Sequence, residues 1–264
     1  MDIPIPEEPR NAPAKSAQVL GVRHGRGRTG GSTLCDLLIQ RARRAGRPVI
    51  VGDGDRRNAT LANYYPPGSP GGALQPPSDE TTDVKDWITW LLGDMVASGS
   101  SLVLDLGGGD RVLGEYGREL ALPEFCDSVG LSGLALYLIG PDTDDFDHIL
   151  AIHRARSFSV SRAILVMNES LIRTGKSPFG AFDPIMARPE FSEMAETGMR
   201  FVFMPRLICM TEMRRAGLTF YEAAEGRKGK DGAALDPVRQ FMVKSWLDRM
   251  EKEFEENGVA EWLP

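Results

Sequence analysis

Cysteine, histidine and long apolar runs are all scarce in this chain of 264 residues. The three cysteines, Cys35, Cys126 and Cys209, lie far apart and form no C-x-x-C pair, so the sequence indicates neither a disulfide framework nor a zinc site. No apolar run approaches the about 18 residues of a membrane-spanning helix. The first residues, MDIPIPEEPRNAPAKS, contain no apolar signal-peptide core. We therefore expect a cytoplasmic protein without membrane attachment.

The charge is acidic overall and unevenly spread. The chain has 31 Lys and Arg against 37 Asp and Glu, a formal net charge of -6. Residues 1–60 hold 11 basic and 6 acidic side chains, whereas residues 61–150 hold 3 and 15. A basic first segment suits an anionic ligand, and the overall acidity argues against a protein that binds nucleic acid over its whole surface. The run QRARRAGR (40–47) is interpreted either as a solvated helix face or as a local DNA patch.

Apolar runs that alternate with helical patterns predict the fold. The runs are nearly continuous in apolar residues, as expected of parallel strands covered on both faces. The predicted strands are 17–22, 47–53, 101–106, 134–140, 161–168 and 199–205. The predicted helices are 33–46, 83–98, 111–120, 143–156, 190–197, 207–216 and a C-terminal helix near 236–257. This order indicates a single-domain α/β fold with a mostly parallel β-sheet flanked by helices.

The domain is expected to cover residues 17–264, after a flexible N-terminal tail at 1–16 that is interrupted by prolines. Ligands of such sheets bind at the carboxyl ends of the strands. Two long loops, 64–80 and 173–189, follow the second and fifth strands, and loops of this length are usually functional flaps or disordered segments.

The stretch HGRGRTGGSTL (24–34) lies between the first strand and the first helix and fits two templates. The first is the P-loop, G-x-x-x-x-G-K-[ST], whose backbone N–H groups cradle phosphates, whose Lys reaches them and whose hydroxyl binds Mg²⁺. Gly25, Gly30 and Ser32 match its spacing, but Gly31 stands where the Lys is required. Every element of the motif is present except the ammonium group.

The second template is the dinucleotide fingerprint G-x-G-x-x-G, which Gly25, Gly27 and Gly30 satisfy. Asp53 then lies near the expected position of a ribose-binding acid. Against this interpretation, Arg23 and His24 separate the predicted strand from the first glycine, whereas the dinucleotide turn follows its strand directly. Residues after the loop are needed to distinguish the P-loop from the dinucleotide fingerprint.

Acidic residues follow the second and third predicted strands. Asp105 closes the run SLVLDL, and a carboxylate at the tip of a buried parallel strand beside a P-loop can hold Mg²⁺ or its water. Asp53 and Asp55 in GDGDRRNATL follow the second strand, and we assign Asp53 the orientation of an attacking water. A dehydrogenase has no comparable use for Asp105.

With the Gly-rich loop followed by these acidic residues in this order, the sequence resembles the ParA/MinD-type ATPases with a deviant Walker A loop, including plasmid-partition, StbB-like and VirC-like members. The family's loop K-G-G-x-G-K-[ST]-T is similar to RGRTGGST (26–33), which contains Arg26, Arg28 and Thr33. The family's D-x-D motif with N-x-T-L resembles DGDRRNATL (53–61), and its third-strand aspartate resembles Asp105. The family's base-binding Asn resembles Asn168, and its late strand that ends in Pro resembles VFMP, which ends at Pro205. The similarity covers residues 17 to 225.

The resemblance implies ATP and Mg²⁺ as cofactors, with the metal on Ser32 and Asp105. The nucleotide would contact Gly25, Gly27, Gly30, Gly31, Ser32, Thr33, Asn168 and Pro205. It also implies a homodimer, a partner protein in plasmid or chromosome partition or conjugative transfer, and non-specific DNA binding as an option. Arg26 keeps the positive charge of the family's first lysine, and Arg28 is the candidate replacement for the lysine lost at Gly31. Because that lysine is absent, a pseudo-ATPase scaffold remains an alternative, as does an NAD(P)-dependent oxidoreductase.

Overall fold

One sheet of six parallel strands forms the centre of the molecule. The computed structural model describes residues 18–107, 110–156, 158, 160 and 162–264, so the predicted tail at 1–16 lies outside the described residues. The strands are β1 (Val19–His24), β2 (Val49–Asp53), β3 (Ser101–Asp105), β4 (Ser132–Ile139), β5 (Arg162–Asn168) and β6 (Arg200–Met204). They are ordered β2-β3-β1-β4-β5-β6, and every neighbouring pair is parallel. The predicted α/β class is confirmed.

Helices cover both faces of this sheet. They are α1 (Gly31–Arg44), α2 (Thr60–Tyr64), α3 (Thr81–Ser98), α4 (Asp110–Glu119), α5 (Leu122–Val129), α6 (Thr143–Arg154), α7 (Asp183–Met186), α8 (Pro189–Glu196), α9 (Met210–Arg215), α10 (Phe220–Ala224) and α11 (Pro237–Glu256). Each predicted helix is present within a few residues of its expected bounds. The short helices α2, α5, α7 and α10 carry too few turns to produce a sequence period, and they were not predicted.

Apolar cores lie on both faces of the sheet. Helices α1, α9, α10 and α11 pack on one face, where Leu34, Phe220 and Trp246 are buried against residues of β4, β5 and β6. Helices α3 to α8 pack on the other face, where Trp87 and Phe146 are buried against β1, β3 and β4. Because both faces are covered, the central strands are apolar at nearly every position, and this explains the unbroken runs in the sequence.

The first strand is longer than its apolar run predicts. The sequence predicted an end at Val22, but β1 continues through Arg23 and His24. Arg23 pairs in register with Asp105 of β3 and with Leu136 of β4, and its buried charge has a carboxylate nearby. The apolar pattern missed these two residues because a buried arginine interrupts the run, and the contacts with Gly107 and Asp105 that accommodate its charge form only in the folded chain. The Gly-rich loop therefore follows its strand directly.

The two long loops have different surroundings. In the 64–80 segment, Leu74 pairs with the outer edge of β2: the Asp53 amide donates to the Leu74 carbonyl over 2.9 Å, and the Leu74 amide donates to the Val51 carbonyl over 2.8 Å. This segment closes the sheet edge. The 173–189 segment contains α7 and borders a cleft beside the Gly-rich loop. Within the described part of the chain, no helix has the length and apolar character needed to span a membrane.

Candidate functional site

The Gly-rich loop lies at the point of the sheet where the order of the strands reverses. β1 is flanked by β3 on one side and by β4 on the other, so the chain leaves the centre first toward one edge and later toward the other. In open α/β sheets, the crevice at the carboxyl ends of strands at such a switch point is the usual ligand site. The loop between β1 and α1 opens at this crevice.

Three residues of the loop have positive φ, and the loop ends at a helix N-terminus that has no side-chain cap. Gly25, Arg28 and Gly30 have φ of 135°, 70° and 93°. Gly30 is the N-cap of α1, and among the described residues no side chain caps the backbone amides of the first turn. A backbone that alternates between right-handed and left-handed conformations forms a concave site whose N–H groups bind anions. The positive end of the helix dipole also favours negative charge there.

Asn168 fixes the loop in place. This residue, at the end of β5, is 1% exposed, and its Nδ2 donates to the Thr29 carbonyl over 2.8 Å. Its Oδ1 accepts from the Ser170 amide over 2.9 Å. A Cβ on Gly30 would lie 2.2 Å from the same Nδ2, so glycine is required there for space as well as for φ. The sequence proposed Asn168 as a base contact, and the structure places its side chain against the Gly-rich loop.

Ser32 and Asp105, the two residues that the sequence proposed as metal ligands, are in contact. The Ser32 hydroxyl in the first turn of α1 donates to Asp105 Oδ2 over 2.7 Å. Asp105 Oδ1 accepts from the Gly107 amide over 2.9 Å. No group of three His, Cys, Asp or Glu side chains in the described ranges could hold a metal ion by itself. A divalent ion here would take one hydroxyl and one carboxylate and complete its shell with ligand and water oxygens, which is the coordination that Mg²⁺ prefers.

Arg23 is the residue of this site that the sequence did not identify. It points from β1 to the space beneath the first turn of α1 and is 3% exposed. Its guanidinium donates to the Gly107 carbonyl, to the Arg26 carbonyl over 2.5 Å and to Thr29 Oγ1 over 3.0 Å. Its Nη1 lies 3.9 Å from Asp105 Oδ1. The only available signal was a lone arginine in an otherwise apolar run.

The two arginines that the sequence proposed as replacements for the lysine lie on the outside of the loop. Arg26 is half exposed, with Nη1 3.7 Å from Asp145 Oδ1. Arg28 is exposed and has no hydrogen-bond or ion-pair partner among the described residues. Arg28 and Gly27 border a cleft of about 820 Å³ formed with the β4–α6 turn and the 173–184 segment. Both guanidinium groups are therefore available to a ligand or a second molecule.

Asp53 is buried at the end of β2 and accepts two backbone hydrogen bonds. The Ala62 amide donates to its Oδ2 over 2.8 Å, and the Asp55 amide donates to its Oδ1 over 3.2 Å. Burial raises the pKa of this carboxyl to about 6, with the nearby Asp105 charge acting in the same direction. Asp53 thus holds the turn that starts α2, and its carboxylate is directed at that backbone.

Pro205 lies at the far end of the crevice, after β6. Its carbonyl accepts from Trp246 Nε1 over 2.7 Å. Together with Gly30, Thr33 and Asn168 it borders a cavity of about 110 Å³. Of the nucleotide-binding residues proposed from the sequence, Gly30, Thr33, Asn168 and Pro205 line this cavity, whereas Gly27 borders the larger cleft.

The strand order separates the two templates. In the dinucleotide fold the second strand lies next to the first, so that its terminal acid reaches the ribose. Here β3 lies between β1 and β2, which places Asp53 one strand farther from the loop. Because both carboxylate oxygens of Asp53 accept hydrogen bonds from backbone amides, the side chain does not face the Gly-rich loop. The topology disfavours a dinucleotide site.

The arginines of 40–47 have partners within the chain. Arg41 pairs with Glu251 at 3.0 Å and Arg44 with Glu225 at 2.5 Å. Arg43 donates to the Gly71 carbonyl, and Arg47 donates to the Leu263 carbonyl. These contacts anchor the end of α1 to its surroundings, and Arg41, Arg43 and Arg47 are only partly exposed, so the run is not the fully solvated helix face that the sequence suggested.

No family model and no curated protein matches the chain. Among solved structures, the signal recognition particle 54 kDa protein of Aeropyrum pernix K1 in complex with GDP is similar with a TM-score of 0.45 and 15% identity, over 91% of this chain and 60% of that one. The chain thus spans less than two thirds of that protein. The MinD cell division protein of Aquifex aeolicus has a TM-score of 0.46 and 13% identity, over 90% and 98% of the two chains. The MinC:MinD complex of the same organism has a TM-score of 0.43 and 11% identity, over 90% and 97%.

Proposed function

We propose that this protein is a nucleotide-dependent switch that binds ATP with Mg²⁺ in the crevice at the ends of β1, β3 and β5. The contact between Ser32 and Asp105 carries this proposal. It brings a hydroxyl from a helix N-terminus and a strand-end carboxylate to 2.7 Å, beside a glycine loop that has no side-chain cap. Structural stability alone gives no reason to combine these three features.

Each part of the crevice has a task in binding. The loop amides and the N-terminus of α1 hold the phosphates. Ser32 and Asp105 hold Mg²⁺, which neutralises phosphate charge when bound. Asn168 keeps the loop in the conformation that receives the phosphates, because its amide restrains the Thr29 carbonyl. The cavity beside Pro205 receives the edge of the base.

Hydrolysis, if it occurs, is slow in this proposal. Asp53 is our assignment for orienting water, but its oxygens accept from Asp55 and Ala62, and a water would have to compete with those amides. Arg26 and Arg28 would stabilise the transferring phosphoryl group. Their side chains lie on the outer surface of the loop, so they would act only after the loop or a second subunit rearranges.

The partner assignments follow the resemblance to ParA/MinD-type ATPases. We propose that ATP binding promotes a homodimer in which Arg26 of one subunit reaches the phosphates of the other, and that the dimer has altered affinity for a partner protein in partition or conjugative transfer. The support within the chain is the exposure of Arg26, which is half accessible beside the Gly-rich loop.

Calorimetry with ATP, GTP and NADPH, each with and without Mg²⁺, tests the function. We expect Mg²⁺-dependent ATP binding that Ser32→Ala and Asp105→Asn weaken about tenfold or more, because the metal loses a ligand. Ser128→Ala, at an exposed serine near the end of α5, is the matched control. Binding of NADPH without ATP would contradict the proposal. Size-exclusion chromatography with light scattering, with and without ATP, tests the dimer.

A pseudo-ATPase scaffold is the second candidate, and the glycine at position 31 favours it. A loop without the usual ammonium can bind nucleotide and still fail to stabilise the transition state. A phosphate-release assay under saturating ATP separates the two candidates. Binding without turnover above the buffer blank would assign the scaffold role, and slow turnover abolished by Asp105→Asn would assign the timed switch.

A further inference from the structure

We propose that Arg23 supplies the phosphate-binding cation that the loop lacks, and that position 31 is glycine to make room for it. The inference rests on the proposed nucleotide site and names the group that compensates the missing lysine. It reassigns a role that the sequence gave to Arg28. Arg23 enters from the strand below the loop, whereas a P-loop lysine enters from the helix above it.

The steric relation between the two residues is the first argument. A Cβ on Gly31 would lie 2.0 Å from Arg23 Nε and 2.8 Å from Cζ. Real Cβ atoms do not approach a side chain so closely, and Arg23 has little room to retreat because it is almost fully buried. Arg23 and a side chain at position 31 therefore exclude each other. The guanidinium occupies the space beside the start of α1 that the stem of a lysine would occupy.

The contacts of the guanidinium are the second argument. Arg23 bridges the two loops that would surround a phosphate group, through the Arg26 carbonyl on one side and the Gly107 carbonyl on the other. It also donates to the Thr29 hydroxyl. These contacts hold a planar cationic guanidinium group between the Gly-rich loop and the loop that follows Asp105. A lysine in a P-loop likewise contributes one positive charge at this point.

The balance of charge is the third argument. Arg23 lies beside the N-terminus of α1, where the helix dipole adds further positive potential. Among the described residues, Asp105 is the one carboxylate that pairs with Arg23, at 3.9 Å, and it already accepts from Ser32 and Gly107. Within the same part of the chain, the buried Arg23 Nε has no hydrogen-bond partner. A buried cation next to a positive helix end calls for an anion, and a phosphate group is the anion that this loop is shaped to receive.

Variants that separate charge from shape test the inference. Arg23→Gln keeps amide donors for the carbonyls and removes the charge, whereas Arg23→Lys keeps the charge. Gly31→Ala leaves the charge in place but forces the guanidinium away. Arg200→Gln, at an exposed arginine on the amino end of β6, is the matched control. The double variant Arg23→Ala/Gly31→Lys moves the cation from the strand to the helix. Circular dichroism and thermal melting establish which variants fold, and calorimetry measures binding of ATP, ADP, AMP and inorganic triphosphate.

The expected result depends on the number of phosphates. Arg23→Gln should weaken ATP and triphosphate binding roughly 10- to 100-fold and leave AMP nearly unchanged. Arg23→Lys should recover part of the loss, Gly31→Ala should resemble Arg23→Gln, and Arg200→Gln should bind as the wild type does. The double variant should bind ATP more tightly than either Arg23→Ala or Gly31→Lys alone, because each single change leaves the site with no cation or with two that collide.

The outcomes distinguish this inference from the proposed function. If the wild type binds ATP and folded Arg23→Gln binds it equally well, the inference is wrong and the nucleotide site stands. If Arg23→Gln binds more tightly, the arginine occludes the site, and the inference is again wrong. If the wild type binds none of the phosphate ligands, both fail. Equal loss for AMP and ATP in Arg23→Gln would show a structural role only, and would overturn the assignment of a phosphate contact.

Discussion

At the scale of single residues, Asp53 makes folding depend on pH. Burial raises the pKa of its carboxyl from 3.8 to about 6, so the folded protein holds this proton more tightly than the unfolded chain does. The contribution of the group to the free energy of unfolding is therefore largest below pH 4 and is lost as the pH rises through 6. Relative to Asp53→Asn, the wild type should lose on the order of 2 kcal/mol of stability between pH 4 and pH 7.

Urea unfolding of both proteins at several pH values measures this difference. The comparison cancels the titration of the other carboxyl groups, because Asp53→Asn leaves them in place. Asn retains one acceptor for the two backbone amides that donate to Asp53. The lost hydrogen bond should therefore lower the free energy of unfolding of the variant by the same amount at every pH. A difference that stays the same from pH 4 to pH 7 would contradict the prediction.

Asn168 is a second residue whose role can be measured by substitution. Asn168→Ala removes the bond to the Thr29 carbonyl and the bond from the Ser170 amide, both in a buried place. We expect a loss of about 2 kcal/mol in the free energy of unfolding, since two buried polar groups lose their partner. Asn63→Ala, on the exposed end of α2, should change stability by about 0.5 kcal/mol or less. Equal effects of the two changes would show that the loop is not tethered by Asn168.

At the scale of elements, α11 is attached to the site through Trp246. The indole stacks on Phe220 with ring centroids 4.8 Å apart, and its Nε1 donates to the Pro205 carbonyl. Trp246→Ala should lower the free energy of unfolding by about 3–5 kcal/mol. Trp246→Phe keeps the stacking and should cost about 1–2 kcal/mol for the carbonyl left unpaired. Val238→Ala, on the exposed start of the same helix, is the control. Chemical denaturation gives all three values, and a Phe variant as unstable as the Ala variant would contradict this division.

The elements themselves were largely predictable, and the exceptions have physical causes. The six strands and the long helices could be read from apolar runs and helical periods, because burial on both faces leaves a strong signal. The end of β1 was missed because Arg23 is a charged residue inside a strand, and its partners Gly107 and Asp105 lie more than 80 positions away. Ser32 and Asp105 were predicted as a pair because spacing and strand ends placed both. The space that Arg23 takes beside Gly31 depends on three-dimensional packing that no local pattern encodes.

At the scale of the whole molecule, the candidate site joins parts of the chain that are distant in sequence. The loop after β1, the end of β3 through Asp105 and the end of β5 through Asn168 meet at one crevice. A ligand that binds there contacts only the folded arrangement, because the unfolded chain does not bring these segments together. Nucleotide binding should therefore stabilise the entire domain against unfolding, by RT ln(1 + [L]/Kd).

With ATP and Mg²⁺ at about 100 times the dissociation constant, this relation gives about 2.7 kcal/mol. For a domain of this size that corresponds to a rise in Tm of about 5–10 °C. Differential scanning calorimetry at several ATP concentrations measures it, and the rise should grow with the logarithm of concentration. Ser32→Ala should show a much smaller rise at the same concentrations, and removal of Mg²⁺ with a chelator should have the same effect on the wild type. A Tm that responds equally in the wild type and in Ser32→Ala would place the nucleotide away from this crevice.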